Sequence, residues 1–275
     1  MIKIKKWSRL FAFAATLLFC GCNKKPSPTQ PLHLNLCSYN IGQYNYGNHY
    51  GYEGDDIDDK INDVKYFLAD NGYDILCLQE NTPYIDREQT ISSRTRILAR
   101  AYLYNEYGRC NTSISSNYPL YNVCTDFFKA EYKGGKNGYI MAETIINDKE
   151  ITLLCCHLSW RPEAAETRKA QMLEIAELCK SSKRVMLFGD WNVADTSEYN
   201  TLAESGYRSL NGGYLPYKRT YNYNQNYNLN ADKSKDRYFD NILIKGDFTG
   251  FFEVHEKYKE LMSDHLPVSA KVNMK

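Results

Sequence analysis

Along residues 32–39, Leu-His-Leu-Asn-Leu-Cys-Ser-Tyr, apolar and polar side chains alternate with the two-residue period of a half-buried strand. Asp56 stands where it can cap a helix whose apolar positions, Ile57, Ile61, Val64 and Leu68, share one face, and Gly72 ends it. Ile75 to Leu78 predicts a short buried strand, and residues 94–103 read as a second helix. Tyr121 to Phe128, Tyr139 to Asn147 and Ile151 to His157 read as consecutive strands, with Asn147-Asp148 supplying turn chemistry between the last two. Pro162 suits the first position of a helix running to about Ser181, with Met172, Ile175 and Leu178 inward. Val185 to Phe188 is another buried strand, and 211–235 is a polar stretch rich in Asn and Tyr that predicts a surface excursion. Three strands end the chain, near Phe239 to Ile244, Phe248 to Val254 and Leu266 to Val272. No repeat and no second linker interrupts this order. Many strands with few helices predict two packed sheets with helices outside.

Composition narrows the class. With 275 residues, 43% hydrophobic and 24% charged, the chain can bury a full core, which excludes wholesale disorder. No apolar run approaches the ~18 residues of a membrane-spanning helix, which excludes a polytopic membrane protein. Residues 1–21 read as a signal peptide: Lys3, Lys5, Lys6 and Arg9 precede the apolar run from Leu10 to Phe19. Gly21-Cys22 after that run resembles the lipobox of bacterial lipoproteins, with Phe19 where that pattern usually has Leu. The resemblance implies that Cys22 is lipidated, which would anchor the chain to a membrane of the bacterial cell envelope, periplasmic or outer-membrane associated. Ordinary cleavage with an unmodified Cys22 is the alternative. Residues 22–32 are polar and Pro-rich and read as a tether; 33–275 read as one domain, expected to be monomeric.

With residues 1–21 set aside, 30 basic groups face 33 acidic ones, a formal charge of −3. Proteins that wrap nucleic-acid phosphates are usually strongly basic, so nucleic acid is a possible but not a favoured partner. The 24 tyrosines suit either flat polar ligands or edge-strand packing. Seven cysteines remain after Cys22, an odd number, and no CxxC pair supports a zinc ribbon or a thioredoxin-type site. Cys37, Cys77 and Cys155 lie in apolar strands as small hydrophobes, while Cys110 and Cys124 flank a short segment and could pair.

The chemistry falls at strand ends. Asn40 closes the first strand (SYN-IG), Glu80 the second (CLQE) and His157 another (CCHL). Asp190 and Asn192 follow a fourth (FGDWN), Asp240 opens a late one (RYFDNIL), and Asp264-His265 precede the last (SDHLP). In this order the set resembles the endonuclease/exonuclease/phosphatase superfamily, over about residues 33–273. Ser113 to Leu120 (SISSNYPL) is similar to that family's ILSRYPI segment, and Arg168 and Gln171 match its R-x-x-Q. Trp191 stands where the family commonly has Phe.

The resemblance implies a deoxyribonuclease I-like α+β fold: two packed, mainly antiparallel sheets flanked by helices in a four-layer sandwich. It implies Mg²⁺ or Mn²⁺ as cofactor, with Glu80 as principal ligand and Asn40 and Asp264 near the metal. By the same pattern Asp190 orients or deprotonates the attacking water beside Asn192, His265 contacts the phosphate with its ring held by Asp240, and His157 protonates the leaving oxygen. Apart from the resemblance, carboxylates and amides are hard oxygen ligands suited to such ions, and an anionic phosphate ester yields mainly to a cation and positioned donors. Arg161, Arg168 and Arg237 are candidate phosphate contacts, whereas His33, His49 and His255 read as structural or surface groups. The expectation is a metal-dependent hydrolase of phosphate esters. The alternatives are a secreted nuclease and a catalytically inert envelope binding protein, which a complete residue set disfavours.

Overall fold

β1 (Leu32–Asn40) exposes His33 and Asn35 on one face, then is buried on both faces from Leu36 onward, because it runs into the middle of a sheet. The structure is a computed structural model that describes residues 32–42, 66–67, 72–81, 101–213, 215–222, 237–259 and 263–274. Twelve strands form two six-stranded sheets among these residues.

In the first sheet β1 pairs in parallel with β2 (Ile75–Gln79) and antiparallel with β12 (Val268–Met274). β11 (Phe248–Val254) extends it beyond β12, and β4 (Ser113–Ser116) and β3 (Tyr104–Tyr107) extend it beyond β2. In the second sheet β7 (Lys149–His157) pairs in parallel with β8 (Val185–Asp190) and antiparallel with β6 (Gly138–Ile146), which β5 (Tyr121–Phe127) flanks. β10 (Asp240–Lys245) and the two-residue β9 (Arg208–Ser209) complete the far side. Each sheet is thus antiparallel except for one parallel pair at its centre, and a parallel pair needs a crossover connection. Between β7 and β8 that connection is α1 (Ala165–Leu178), entered through a 3-10 turn that Pro162 opens.

Three apolar layers hold the sheets. Leu36, Cys77 and Ile114 of the first sheet meet Ile140, Leu153, Phe188 and Ile242 of the second in the central layer. Outside the second sheet Met172, Ile175 and Cys179 cover Leu154 and Leu187. Outside the first, Phe67, Tyr73, Tyr102 and Tyr258 cover Cys37, Tyr39, Leu76 and Leu78. The expected two-sheet α+β architecture holds.

Some details differ from expectation. Leu178 is 37% exposed, and Cys179 takes the inward place because 172, 175 and 179 form the helical i, i+3, i+7 stripe. β4 escaped the pattern because Ser113, Ser115 and Ser116 are polar residues buried between strands, and β3 because its four residues are at most half-buried. The seven described cysteines are all free thiols, Cys110 and Cys124 included. Most of the proposed helices at 94–103 and 56–72, the segment 223–236, His49 and Cys22 lie outside the described residues, and of the first helix's described end Tyr102 and Leu103 are not helical. Among the described residues no helix is long and apolar enough to cross a membrane.

Candidate active site

Both parallel pairs end on the same edge, and chemistry-bearing residues collect there. β1 and β2 run to register partners Asn40 and Gln79, with Glu80 one residue beyond, and β7 and β8 run to partners His157 and Asp190. β10 begins with Asp240 directly opposite Asp190. The close approach of β8 to β7 depends on Gly189, where a Cβ would stand 2.7 Å from both the carbonyl oxygen and the Sγ of Cys156. Two residues turn sharply as their strands stop: Glu80 at φ 54° and Asn192 at φ 50°, both in the left-handed region. Asn tolerates that region, and the Asn192 backbone N–H is held by Asp190 Oδ1 at 3.0 Å. The same two-residue turn closes β1, where Gly42 N–H donates to Asn40 Oδ1 at 2.9 Å.

Asp190 is the hub. Its Oδ2 accepts from Asn40 Nδ2 at 2.9 Å and lies 3.4 Å from His157 Nε2 and 3.6 Å from His265 Nε2. Asn40 Nδ2 also donates to Glu80 Oε1 at 3.2 Å, so one amide from the first sheet bridges a carboxylate of each sheet. His265 Nδ1 is 2.8 Å from Asp240 Oδ2, and His265 Nε2 is 3.9 Å from Asp264 Oδ1. The structure therefore brings Asn40, Glu80, His157, Asp190, Asp240, Asp264 and His265 into one connected cluster. Asn192 borders it, although its Nδ2 donates to the Leu158 carbonyl at 3.1 Å. Trp191 is wholly buried behind, its Nε1–H on the Asn241 carbonyl at 3.1 Å.

Burial pushes the Asp240 carboxyl up to about 6, against the pull of His265. For His265 burial opposes the charged ring, but the carboxylates of Asp240, Asp190 and Asp264 outweigh it and hold the imidazole well above its ordinary value. Asp190 and Asp240 are buried, and no Lys or Arg pairs with either among the described residues. Among the described residues Asp240 Oδ1 has no hydrogen-bond partner. This surplus of buried negative charge and hard oxygen atoms fits a divalent cation. Ligand atoms of Asp190, Asp240 and His265 lie within 4.8 Å of one another, a group distinct from the expected Glu80, Asn40 and Asp264. The His265–Asp240 hydrogen bond already occupies one atom of each, whereas Glu80 and Asp264 sit at the partly exposed mouth.

One expected contact is corrected. Arg168 has no exposed surface and its donors are taken by Glu198 and backbone carbonyls, so it cannot touch a substrate. Arg161 is exposed and stacks on the Trp160 ring at 3.7 Å, and Arg237 lies over Tyr221 and Phe239 beside His265. Two supports were not foreseen. Ser263 Oγ donates to the Asn40 carbonyl at 2.6 Å and accepts the His265 N–H at 3.1 Å, and its place before Asp264-His265 was the available signal. Thr220 Oγ1 accepts the Asp240 N–H at 3.0 Å, and nothing in the local sequence marks it.

No curated protein matches the chain. Among solved structures, TDP2 of D. rerio complexed with single strand DNA product superposes with a TM-score of 0.69 at 17% identity, covering 88% of this chain and 99% of that one. A truncated TDP2 of Caenorhabditis elegans gives 0.65 at 18%, covering 89% and 98%. An endonuclease/exonuclease/phosphatase from Bacteroides vulgatus gives 0.67 at 14%, covering 89% and 100%. At such identities these likenesses speak for the fold. The sequence pattern of one family matches residues 37–265, nearly the whole span that carries the cluster around Asp190, and by it this chain belongs to the Endonuclease/Exonuclease/phosphatase family.

Proposed function

We propose that the chain is a divalent-metal-dependent hydrolase of phosphate esters that acts on a small phosphodiester or lipid headgroup rather than on long DNA. The observation that carries this reading is Asp190, which meets two imidazoles and the Asn40 amide in one buried contact set. Glu80 and Asp264, with Asn40, would hold Mg²⁺ or Mn²⁺, which when bound neutralises the anionic ester and polarises its P–O bonds. Asp190 accepts the proton of the attacking water or orients it. His265, kept protonated by Asp240, donates a hydrogen bond to a phosphoryl oxygen. His157, which approaches the same Asp190 oxygen as His265, supplies the proton that the leaving oxygen takes, and such general acid–base help is worth about 10²–10⁴ in rate. Asn192, an amide with two N–H donors, has one left for the phosphoryl group after Leu158 takes the other.

A charge of −3 on the part after residue 21 supports a small ester, since it gives little general attraction for a polyanion. A second reading, a nuclease, is favoured by exposed Arg109 and Lys136, which both lie within 5.3 Å of the Phe127 ring, with Arg109 packed beside Gly138, the register partner of His157. A panel of a small diester, sphingomyelin, inositol phosphates, RNA and plasmid DNA at several Mg²⁺ and Mn²⁺ concentrations decides between them. The small-ester reading expects cleavage of one small substrate with little salt dependence and weak, salt-sensitive cleavage of duplex DNA. Efficient plasmid cleavage at physiological salt overturns it. Envelope attachment through Cys22 belongs to the same proposal: a fatty-acid analogue labels the chain and Cys22→Ala abolishes the label, whereas membrane partition with no label at all contradicts it.

A further inference from the structure

Arg168 and Glu198 form a charged pair with 0% and 3% of their surfaces exposed, far from water for two full charges. Burying such a pair is costly unless every donor and acceptor is used, and here they are used on two particular loops. Arg168 Nε and Nη2 fork onto Glu198 at 2.8 and 2.9 Å, while Nη1 donates to the carbonyls of Ser159 and Arg161 at 3.1 and 2.6 Å, in the loop that leaves His157. Glu198 Oε1 also accepts the N–H groups of Ala194 and Asp195 at 2.8 and 3.2 Å, in the loop that leaves Asp190 and Asn192. Gln171, one turn after Arg168 on α1, accepts the Ser159 N–H at 3.2 Å and donates to the Ala130 carbonyl at 2.9 Å.

We propose that Arg168, through Glu198, is a positioning residue that locks the His157 loop to the Asp190–Asn192 loop and so sets the reach of His157 to the leaving oxygen. Only a planar guanidinium can serve two carbonyls and a bidentate carboxylate at once, and a lysine ammonium cannot replace it. The leaving-group role of His157 comes from the function proposed above, and the kinetic test rests on that reading; the exchange test does not.

The test compares full-length Arg168→Lys and Glu198→Gln with the unaltered chain on a nitrophenyl and an alkyl phosphodiester. A displacement of His157 by about an ångström should lower kcat on the alkyl diester by about 10²-fold with KM little changed. The nitrophenyl diester, whose leaving group needs no proton, should lose far less. Adding His157→Ala should then cost little more, because both changes remove one function. In hydrogen exchange the amides of 158–161 and 193–195 should open faster, with β7, β8 and α1 unchanged. Equal losses on the two diesters, or losses that add to those of His157→Ala, overturn the proposal. If the unaltered chain cleaves neither diester, the functional reading fails instead, and unchanged exchange at both loops then overturns the positioning role by itself. Should Arg168→Lys not fold, Glu198→Gln, which keeps the shape of the acceptor, answers the same question.

Discussion

The two sheets share one strand plan, a parallel pair flanked on each side by antiparallel strands, yet they end in different chemistry. In the first the paired ends carry Asn40, Gln79 and Glu80; in the second, at matching register, His157 and Asp190. The first offers a buried amide and a partly exposed carboxylate, and the second offers a half-buried imidazole and a buried carboxylate. Their outer coverings differ in kind as well. α1 lays Met172 and Ile175 over the second sheet, whereas the first is covered by an aromatic group in which Phe67 lies 5.1 Å from Tyr39 and 5.2 Å from Tyr258. Neither half is a site alone. The Asn40–Asp190 and Asp240–His265 bonds cross from one sheet's elements to the other's, so the cluster exists only when the halves are docked.

The sharpest way to break this division of labour is at the first sheet. Glu80→Gln should lower hydrolysis by about 10³-fold or more and weaken Mg²⁺ binding, measured by activity against metal concentration, with the circular dichroism spectrum unchanged. Near-normal activity at limiting Mg²⁺ would move the cation to Asp190 and Asp240 and erase the contrast between the halves.

Across the seam, Asp240→Asn and His265→Ala should each cost about 10²–10³-fold in kcat, and the double variant should lose little more than either. Additive losses would show that the two do not act as a unit. The acid limb sharpens the test. Because burial raises Asp240 to about 6, it takes up a proton as pH falls through that value and His265 loses its charged partner. Activity should therefore decline below about pH 6, and Asp240→Asn should remove that limb from the profile.

At the second sheet, His157→Ala should cost about 10²-fold on an alkyl diester and much less on a nitrophenyl one. Equal losses on both would take the leaving-group role from His157.

The smallest effect belongs to His255, which lies under the first sheet with Nε2 2.7 Å from Ser269 Oγ and 3.3 Å from the Tyr73 hydroxyl. Burial holds this imidazole below its ordinary value. The unfolded chain then takes the proton first, so the stability is present above about pH 6.5 and is lost as pH falls towards the lower folded value. The urea midpoint should drop modestly from pH 7.5 to 5.5, and His255→Gln should flatten that slope. An unchanged slope would mean that the ring carries no linkage.

Much of this was legible in the chain itself. Alternation and short apolar runs located β1, β2, β5 to β8 and β10 to β12, because strands buried on one or both faces must show it in their side chains. Asn40, Glu80, His157, Asp190, Asp240 and His265 were legible too, since polar groups at the ends of apolar runs stand out against them. β3, β4 and β9 were not. β4 is buried by β2, far along the chain, and Ser113 carries no sign of it, while β3 and β9 are short and at most half-buried, so no apolar period marks them. Arg168 was visible as part of a motif, but whether a guanidinium meets solvent, a phosphate or a buried Glu198 thirty residues away depends on how α1 lies on its sheet. The residue types and their order along the strands settled which chemistry was available. Only the docking of two sheets, which sets distances between groups as far apart in sequence as Asn40 and Asp190, 150 residues away, decided which groups meet, because hydrogen bonds and proton transfer act over about 3 Å and local pattern carries no information at that range.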